Sequence, residues 1–469
     1  MLFCHYKEQT DLENRHICTS KHTFTHRTDI STSIIMYDQE DKHMKHASEL
    51  IKDFESEQYN ELLTDIYVDE HLLAYQNGRY IAALQEFIKD FGDTEVSIFS
   101  APGRSEVGGN HTDHQHGQVL AASINLDAIA IVAKTSDDKI QVISDGYDLI
   151  TIDASDLSLV ESEKETTMAL IKGVAAGLKE HGHAVGGFKA YITSDVLIGA
   201  GLSSSAAFET IIGTILSGLY NNGSVSAIEI AIIGQYAENV YFGKPCGLMD
   251  QMASSVGNLV HIDFADPADP IVEKIDFDMA KSGYSLCITD TKGSHVDLTA
   301  DYAAVPAEMC AVAEMLGKPV LNELSEQDII DHMTDIRTKL GDRYLLRALH
   351  YFEEVKRVEI QAASLKKGDM PAFLAAVKAS GDSSFKYLQN VYTNKDIQAQ
   401  NVSVALAVSD ITLGSHGVSR VHGGGFAGTI QAFVENDTVE TYRQAMDHVF
   451  GEGSCHVLKI RKYGGMQVL

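Results

Sequence analysis

Leu197-Ile198-Gly199-Ala200-Gly201-Leu202-Ser203-Ser204-Ser205-Ala206-Ala207 decides how this 469-residue chain is read. Upstream, Phe188-Lys189-Ala190-Tyr191-Ile192-Thr193 alternates with period 2 and predicts a strand. Downstream, Phe208, Ile211, Ile212, Ile215 and Leu219 recur at helical spacing and predict a helix with one apolar face. A strand therefore passes through a glycine-rich bend into a helix start. Glycines let the backbone approach a ligand closely, and a helix start offers unpaired N–H groups at the positive end of its dipole. That combination cradles phosphate. Ser203, Ser204 and Ser205 add hydroxyl donors, one of them suited to ligating Mg²⁺. The Walker pattern G-x-x-x-x-G-K-[ST] is absent, because Gly243-Lys244 is followed by Pro245, so a nucleotide held here is not held by a P-loop. Taken alone, the segment fits a Ser-capped helix after a glycine turn as well.

Two other glycine-rich spans carry chemistry. Ala101-Pro102-Gly103-Arg104-Ser105-Glu106-Val107-Gly108-Gly109-Asn110-His111-Thr112-Asp113-His114-Gln115-His116-Gly117 gathers Arg, Glu, Asn, His and Asp in one turn-rich loop. Polyol recognition needs such a mixture, since neighbouring hydroxyls are read by carboxylate, amide and imidazole groups in fixed geometry. His111, His114 and His116 lack the i, i+4 spacing of a helical zinc pair. Ser419-Arg420-Val421-His422-Gly423-Gly424-Gly425-Phe426-Ala427-Gly428 runs straight into the β-like Thr429–Val434, as an ordinary glycine-rich hairpin also does. Finally, Glu238 lies on a helix ahead of Gly243, and Gly243-Lys244-Pro245-Cys246-Gly247-Leu248-Met249-Asp250-Gln251 sets Asp250 just after a turn. An isolated Asp at that position serves equally as a helix cap.

Around these motifs the chain is of ordinary globular composition, 44% apolar and 22% charged, without repeats. Residues 1–43 are rich in His, Thr and Asp and show neither period, so they read as a disordered N-terminal extension. From His46 to about Phe91 the spacing is helical, and strands follow at Val96–Ser100, Ala128–Ala133 and Ile140–Ile143. Ser226-Ala227-Ile228-Glu229 opens a further helix as a capping box. After a strand at Tyr284–Thr289 the pattern is mostly helical to about Val408, and a strand at His456–Ile460 closes the chain. This gives a boundary near residue 280, hence an N-terminal domain over 44–280 carrying the first two loops and a C-terminal domain over 281–469.

Charge excludes two classes of partner. Lys plus Arg number 37 against 66 Asp plus Glu, a formal net charge of −29. Such a body repels nucleic-acid backbones and anionic lipid, although an amide-lined pocket still accepts a small anion. Six scattered cysteines without a Cys-x-x-Cys pair indicate free thiols in a reducing compartment. No segment has the length of a membrane span and the start lacks a secretory pattern, so the expectation is a cytoplasmic protein with neither nucleic-acid nor membrane partners.

Together the four motifs resemble the GHMP kinase superfamily and, within it, the galactokinases, from about residue 75 to the C-terminus. Ala101 to Asp113 is similar to the galactokinase signature, Gly199 to Ala206 to the superfamily's phosphate loop, Gly243 to Gln251 to the segment with the catalytic aspartate, and Gly423 to Gly428 to the C-terminal glycine motif. The resemblance implies an α+β, two-domain GHMP kinase fold with the active site in the cleft between the domains. It implies ATP-dependent phosphorylation of the anomeric hydroxyl of α-D-galactose, with ATP and Mg²⁺ as cofactors and either a monomer or a dimer.

Carried over by position, the resemblance makes Asp250 and Arg104 the catalytic pair. Asn110, His111, Asp113, Gly247 and Tyr302 become sugar contacts together with that pair, Tyr302 lying seven residues after His295. Gly199, Ala200, Gly201, Leu202, Ser203, Ser204, Ser205 and Ala206 become the nucleotide loop, and Ser205 and Glu238 the Mg²⁺ ligands. In-line phosphoryl transfer needs mostly positioning and charge neutralisation, which such a set supplies. The chain departs from the family pattern at Asn110, where the family has Glu; at Glu106, where it has Asn; at His114-Gln115-His116, where it has Tyr-Asn-Gly; and at Leu197, where it has Pro. The loss of a charge at position 110 admits a second reading, a kinase for another sugar such as N-acetylgalactosamine or arabinose. A third, a non-catalytic regulator that binds galactose and ATP, fits less well with an intact Ser205-Ala206-Ala207 and Asp250.

Overall fold

A computed structural model describes residues 44–197, 201–294 and 298–469, all within one compact unit. The extension expected over 1–43 and the loop positions Gly199 and Ala200 lie outside the described residues. The chain enters through β1 (Lys45–His46), the helices Ala47–Glu55 and Asn60–Tyr67, and the long helix α1 (Leu73–Phe91). A mixed sheet follows, built from β2 (Glu95–Gly108), β3 (Gln118–Lys134), β4 (Lys139–Ser144), β5 (Ile150–Asp153), β6 (Phe188–Ser194), β7 (Leu259–Asp263) and β8 (Ile271–Ile275). Its main path runs β1-β2-β3-β6-β4-β5, with β7 and β8 extending from β3; only β4 and β6 pair in parallel. Between β6 and β7 come α2 (Ser204–Asn221), α3 (Ala227–Tyr236) and α4 (Met249–Val256).

Strand β3 shows why both faces of this sheet are covered. Ile129, Ile131 and Ala133 point into a cluster with Tyr80, Leu84 and Phe87 of α1, while Ala128, Ala130 and Val132 point into one with Ile211, Ile212 and Ile215 of α2. A period of 2 with both faces apolar is the pattern of a strand sandwiched between helix layers. Past residue 280 a smaller antiparallel sheet forms from β9 (Tyr284–Asp290), then, after the helices α5 (Asp342–Lys367) and α6 (Met370–Ser383), from β10 (Gly417–Val421), β11 (Thr429–Glu435) and β12 (Cys455–Leu458), in the order β10-β11-β9-β12. The chain does not end there. β13 (Met466–Gln467) returns to pair with Ser100 and Phe99 of β2.

Two features position the site. First, Val107, Ile124, Val196, Leu202 and Ala207 of the first half share one apolar cluster with Leu286, Ile288, Phe373 and Phe433 of the second, so a continuous core lies beneath the phosphate loop. Second, β2 does not stop at Ala101, as Pro102-Gly103 predicts. It runs on to Gly108 with register shifts against β3 between Pro102 and Arg104 and between Glu106 and Gly108. Bulges absorb a residue that cannot donate to the ladder and re-aim the side chains beyond it. Thus much of the expected polyol loop is bulged strand.

Candidate active site

Arg104 emerges from the first irregularity of β2 and reaches Asp250 in the first turn of α4. Its Nε donates to Asp250 Oδ1 at 2.7 Å and its Nη2 to Oδ2 at 2.8 Å. The remaining nitrogen, Nη1, donates to the Gly201 carbonyl. Gly103 makes this approach possible, since a Cβ there would stand 2.9 Å from the Leu202 carbonyl, which accepts from Arg104 N at 3.1 Å. Ser203, in the left-handed region with φ +57° at the mouth of α2, donates its hydroxyl to Asp250 Oδ2. Burial alone would push the Asp250 carboxyl up, but the guanidinium and the hydroxyl outweigh it and hold the group below the ordinary carboxylate range. With 31% of its side chain exposed, Asp250 is an ionised, pre-aimed acceptor that a ligand can reach.

Asp113 and Gly247 meet next to this pair. A Cβ on Gly247 would collide with Asp113 Oδ2, so only glycine admits the carboxylate. The Asp113 side chain is 14% exposed, and His114 Nε2 lies 3.8 Å from its Oδ1. It accepts no close hydrogen bond from the described residues and is open to a hydroxyl donor. His111 Nε2 donates to the Gly424 carbonyl at 3.1 Å, and burial pushes its pKa down to about 4, so the ring is neutral. The Tyr302 hydroxyl donates to the Gly425 carbonyl at 2.8 Å, and its ring packs against Gly424. The third glycine loop is therefore the floor on which His111 and Tyr302 are held.

Asn110 goes elsewhere. Its amide donates to Glu106 Oε1 at 3.1 Å and to the Gly423 carbonyl at 2.7 Å, while its oxygen accepts from Asn390 Nδ2 at 2.8 Å and Ser384 Oγ at 3.2 Å. That exhausts the capacity of a carboxamide, and the residue is fully buried. The side chain expected to contact sugar here forms a joint between the two halves. The structure also brings Glu106 and Asn110, two positions at which the chain leaves the family pattern, into contact with each other. Glu106 is in turn ion-paired with buried Arg420.

On the far side of Ser203, Ser205 Oγ lies 3.4 Å from Glu238 Oε1, an oxygen that also accepts from Lys244 Nζ at 3.1 Å. The other carboxylate oxygen accepts from Gln251 Nε2 at 2.9 Å, which also donates to the buried Glu209 at 3.0 Å. A hydroxyl and a nearly buried carboxylate, hard oxygens converging where an ammonium already sits, fit a Mg²⁺ ion completed by phosphate oxygens and water. Among the described residues no cluster of three His, Cys, Asp or Glu side chains suited to a metal occurs.

Several residues of this region carry no signal in the sequence reading. His422 lies in the third glycine loop, and its Nε2 accepts from the Glu106 backbone N–H at 3.1 Å. His350 and Glu354, four residues apart on α5, are both completely buried. Buried polar residues in the stripe of a long helix are the trace that would have found them.

Glycine loop, helix start and paired acid at the meeting of two sheets define a GHMP kinase: the family described as GHMP kinases N terminal domain matches residues 169–258, and the galactokinase galactose-binding signature matches 85–134. Galactokinase of Streptomyces coelicolor is 31% identical over 369 residues, 78% of this chain and 92% of that protein, and galactokinase of Glaesserella parasuis is 29% identical over 361 residues, 76% and 90%. The crystal structure of Lactococcus lactis galactokinase complexed with galactose superposes with a TM-score of 0.69 at 26% identity, covering 82% of this chain and 98% of that one. The chain belongs to the galactokinase family.

Proposed function

We propose that this chain transfers the γ-phosphoryl group of ATP to the anomeric hydroxyl of α-D-galactose, giving galactose 1-phosphate and ADP. The observation that carries the reading is the two-point pairing of Arg104 with Asp250, set between the open Asp113 carboxylate and the start of α2. In this reading Asp250 accepts the hydrogen bond of the anomeric hydroxyl. As the oxygen–phosphorus bond forms, Asp250 takes the proton and the electron pair of the breaking bond leaves with ADP. A carboxylate held ionised by arginine is a weak base, so aiming the oxygen counts for as much as proton removal. Arg104 offsets charge on the transferring group, and Asp113 and the His111 ring orient the sugar's other hydroxyls. Gly201, Leu202, Ser204 and Ala206 line the approach of the phosphates to α2, with Ser203 shared between that task and Asp250. Ser205 and Glu238 would hold Mg²⁺, which neutralises phosphate charge when bound.

The wider setting accords with this. Cys246, Cys287, Cys310 and Cys455 are free thiols, which accords with a reducing, cytoplasmic setting, and no described helix is long and apolar enough to cross a membrane. The two sheets support a division into two lobes near residue 280, with Lys459–Leu469 returning to the first. The engaged side chain of Asn110 removes the reason to favour N-acetylgalactosamine or arabinose. ADP release with galactose, N-acetylgalactosamine, arabinose and glucose, measured side by side, tests the proposal: turnover is expected with galactose, and an equal or greater rate with another of the four, or none at all, refutes it.

A further inference from the structure

The loop that carries His111 and Asp113 bends through two left-handed backbone conformations. Gly109 has φ +89° and His111 φ +62°, the second a non-glycine residue in that region. Thr112 braces the Gly109 carbonyl from within the loop, its N–H donating at 3.1 Å and its hydroxyl at 2.9 Å, and the other half of the chain holds the amides between. Glu354 of α5 accepts from the consecutive backbone N–H groups of Gly109 and Asn110 at 3.2 and 3.4 Å, both on Oε1. The same oxygen accepts from Ser380 Oγ of α6 at 2.5 Å, and Oε2 accepts from Arg357 Nε at 2.7 Å. His350 completes the grip. Its Nε2 donates to the Asn110 carbonyl at 3.0 Å, and its Nδ1 accepts from Ser383 Oγ at 2.8 Å. Both polar groups of one peptide segment are thus clamped by α5, with the helix side chains braced by α6.

We propose that Glu354 is a positioning residue for the sugar: through the Gly109 and Asn110 amides it sets the loop geometry that aims His111 and Asp113, without touching substrate itself. An ordinary buried ion pair with Arg357 would be satisfied on one oxygen. Here the second oxygen is turned to the loop and gathers three donors there. Burial would push the Glu354 carboxyl up, but its neighbours His350, Arg357 and Arg420 and the Ser380 hydroxyl outweigh it and hold the pKa at about 2, so the acceptor is permanent at working pH. Because the loop contributes to the sugar side of the site and Gly201 to Ala206 to the phosphate side, disturbing the clamp separates the two substrates.

The inference rests on the reading of the loop as sugar-binding, and the experiment distinguishes the two. In the full chain, Glu354→Gln is expected to raise the galactose KM about tenfold or more while the ATP KM stays within about twofold. Hydrogen exchange of the Gly109 and Asn110 amides speeds up in parallel. Ser380→Ala, a smaller excision, is expected to raise the galactose KM by about threefold to tenfold with the ATP KM again unchanged. A folded Glu354→Gln with an unaltered galactose KM, or with both KM values raised alike, overturns the proposal. If that variant does not fold, Ser380→Ala decides by the same two outcomes. Should the wild-type chain fail to phosphorylate galactose, the functional reading falls, and the amide exchange rates in Ser380→Ala alone uphold or overturn the clamp.

Discussion

Arg104 spends all three of its nitrogen positions on fixed partners, two on Asp250 and one on the Gly201 carbonyl. Such a fork-to-carboxylate pairing is planar, and a lysine ammonium reproduces its charge without its geometry. Arg104→Lys is therefore expected to lower kcat by about 100-fold with little change in stability, since it removes one pre-aimed charge-stabilising donor. Steady-state kinetics beside a melting curve checks this, and a kcat within a few-fold of wild type would show that the guanidinium does not face the transferring group. The candidates Arg104 and Asp250 were legible at this scale, because each stands in a recognisable motif. The fate of Asn110 was not. Nothing in Gly108-Gly109-Asn110-His111 says that four hydrogen bonds, two donated to Glu106 and Gly423 and two accepted from Ser384 and Asn390, consume the amide.

Elements tell a similar story at the strand-to-helix bend. The period-2 strand and the apolar helix face were written locally and appear as β6 and α2. Leu202 sits in the bend yet is fully buried in the core shared by both halves, with its carbonyl receiving the Arg104 N–H. Leu202→Ala is expected to cost about 2–5 kcal/mol by urea denaturation, the range for leucine truncation in a closed core. A cost under about 1 kcal/mol would mean the bend floats free of that core. By contrast, β2 misled, because Pro102-Gly103 reads locally as a breaker. Pairing with β3 on the far side of the bulge overrides that signal and carries the strand to Gly108.

Across the whole molecule, the joint between halves is sealed by histidines that stay neutral. Burial lowers the pKa of His350 and of His422, the latter strongly. His422 Nε2 accepts from Glu106 N–H and Nδ1 faces Thr429 Oγ1 at 3.0 Å, so a proton on Nε2 would set one N–H against another. In the unfolded chain this imidazole titrates near 6.5 and in the fold well below, so its contribution is complete above about pH 6.5 and is lost as pH falls beneath it. His422→Gln, which offers an acceptor and a donor but no titration, is expected to lose less melting temperature than wild type between pH 7 and pH 5. Equal losses would show that the imidazole is not protonated on unfolding. The sequence by itself determined the period-2 strand, the apolar helix face that follows it and the motif segments, because periodicity and glycine spacing are local physics, while the fold class and the roles read for Asp250 and Arg104 were implied by the family those motifs resemble. Only the tertiary structure decided where Asn110 points, that Glu354 and His350 grip the sugar loop, and that the last residues return to β2. Those depend on donors and acceptors that lie far apart in the sequence and meet only once the two halves pack together.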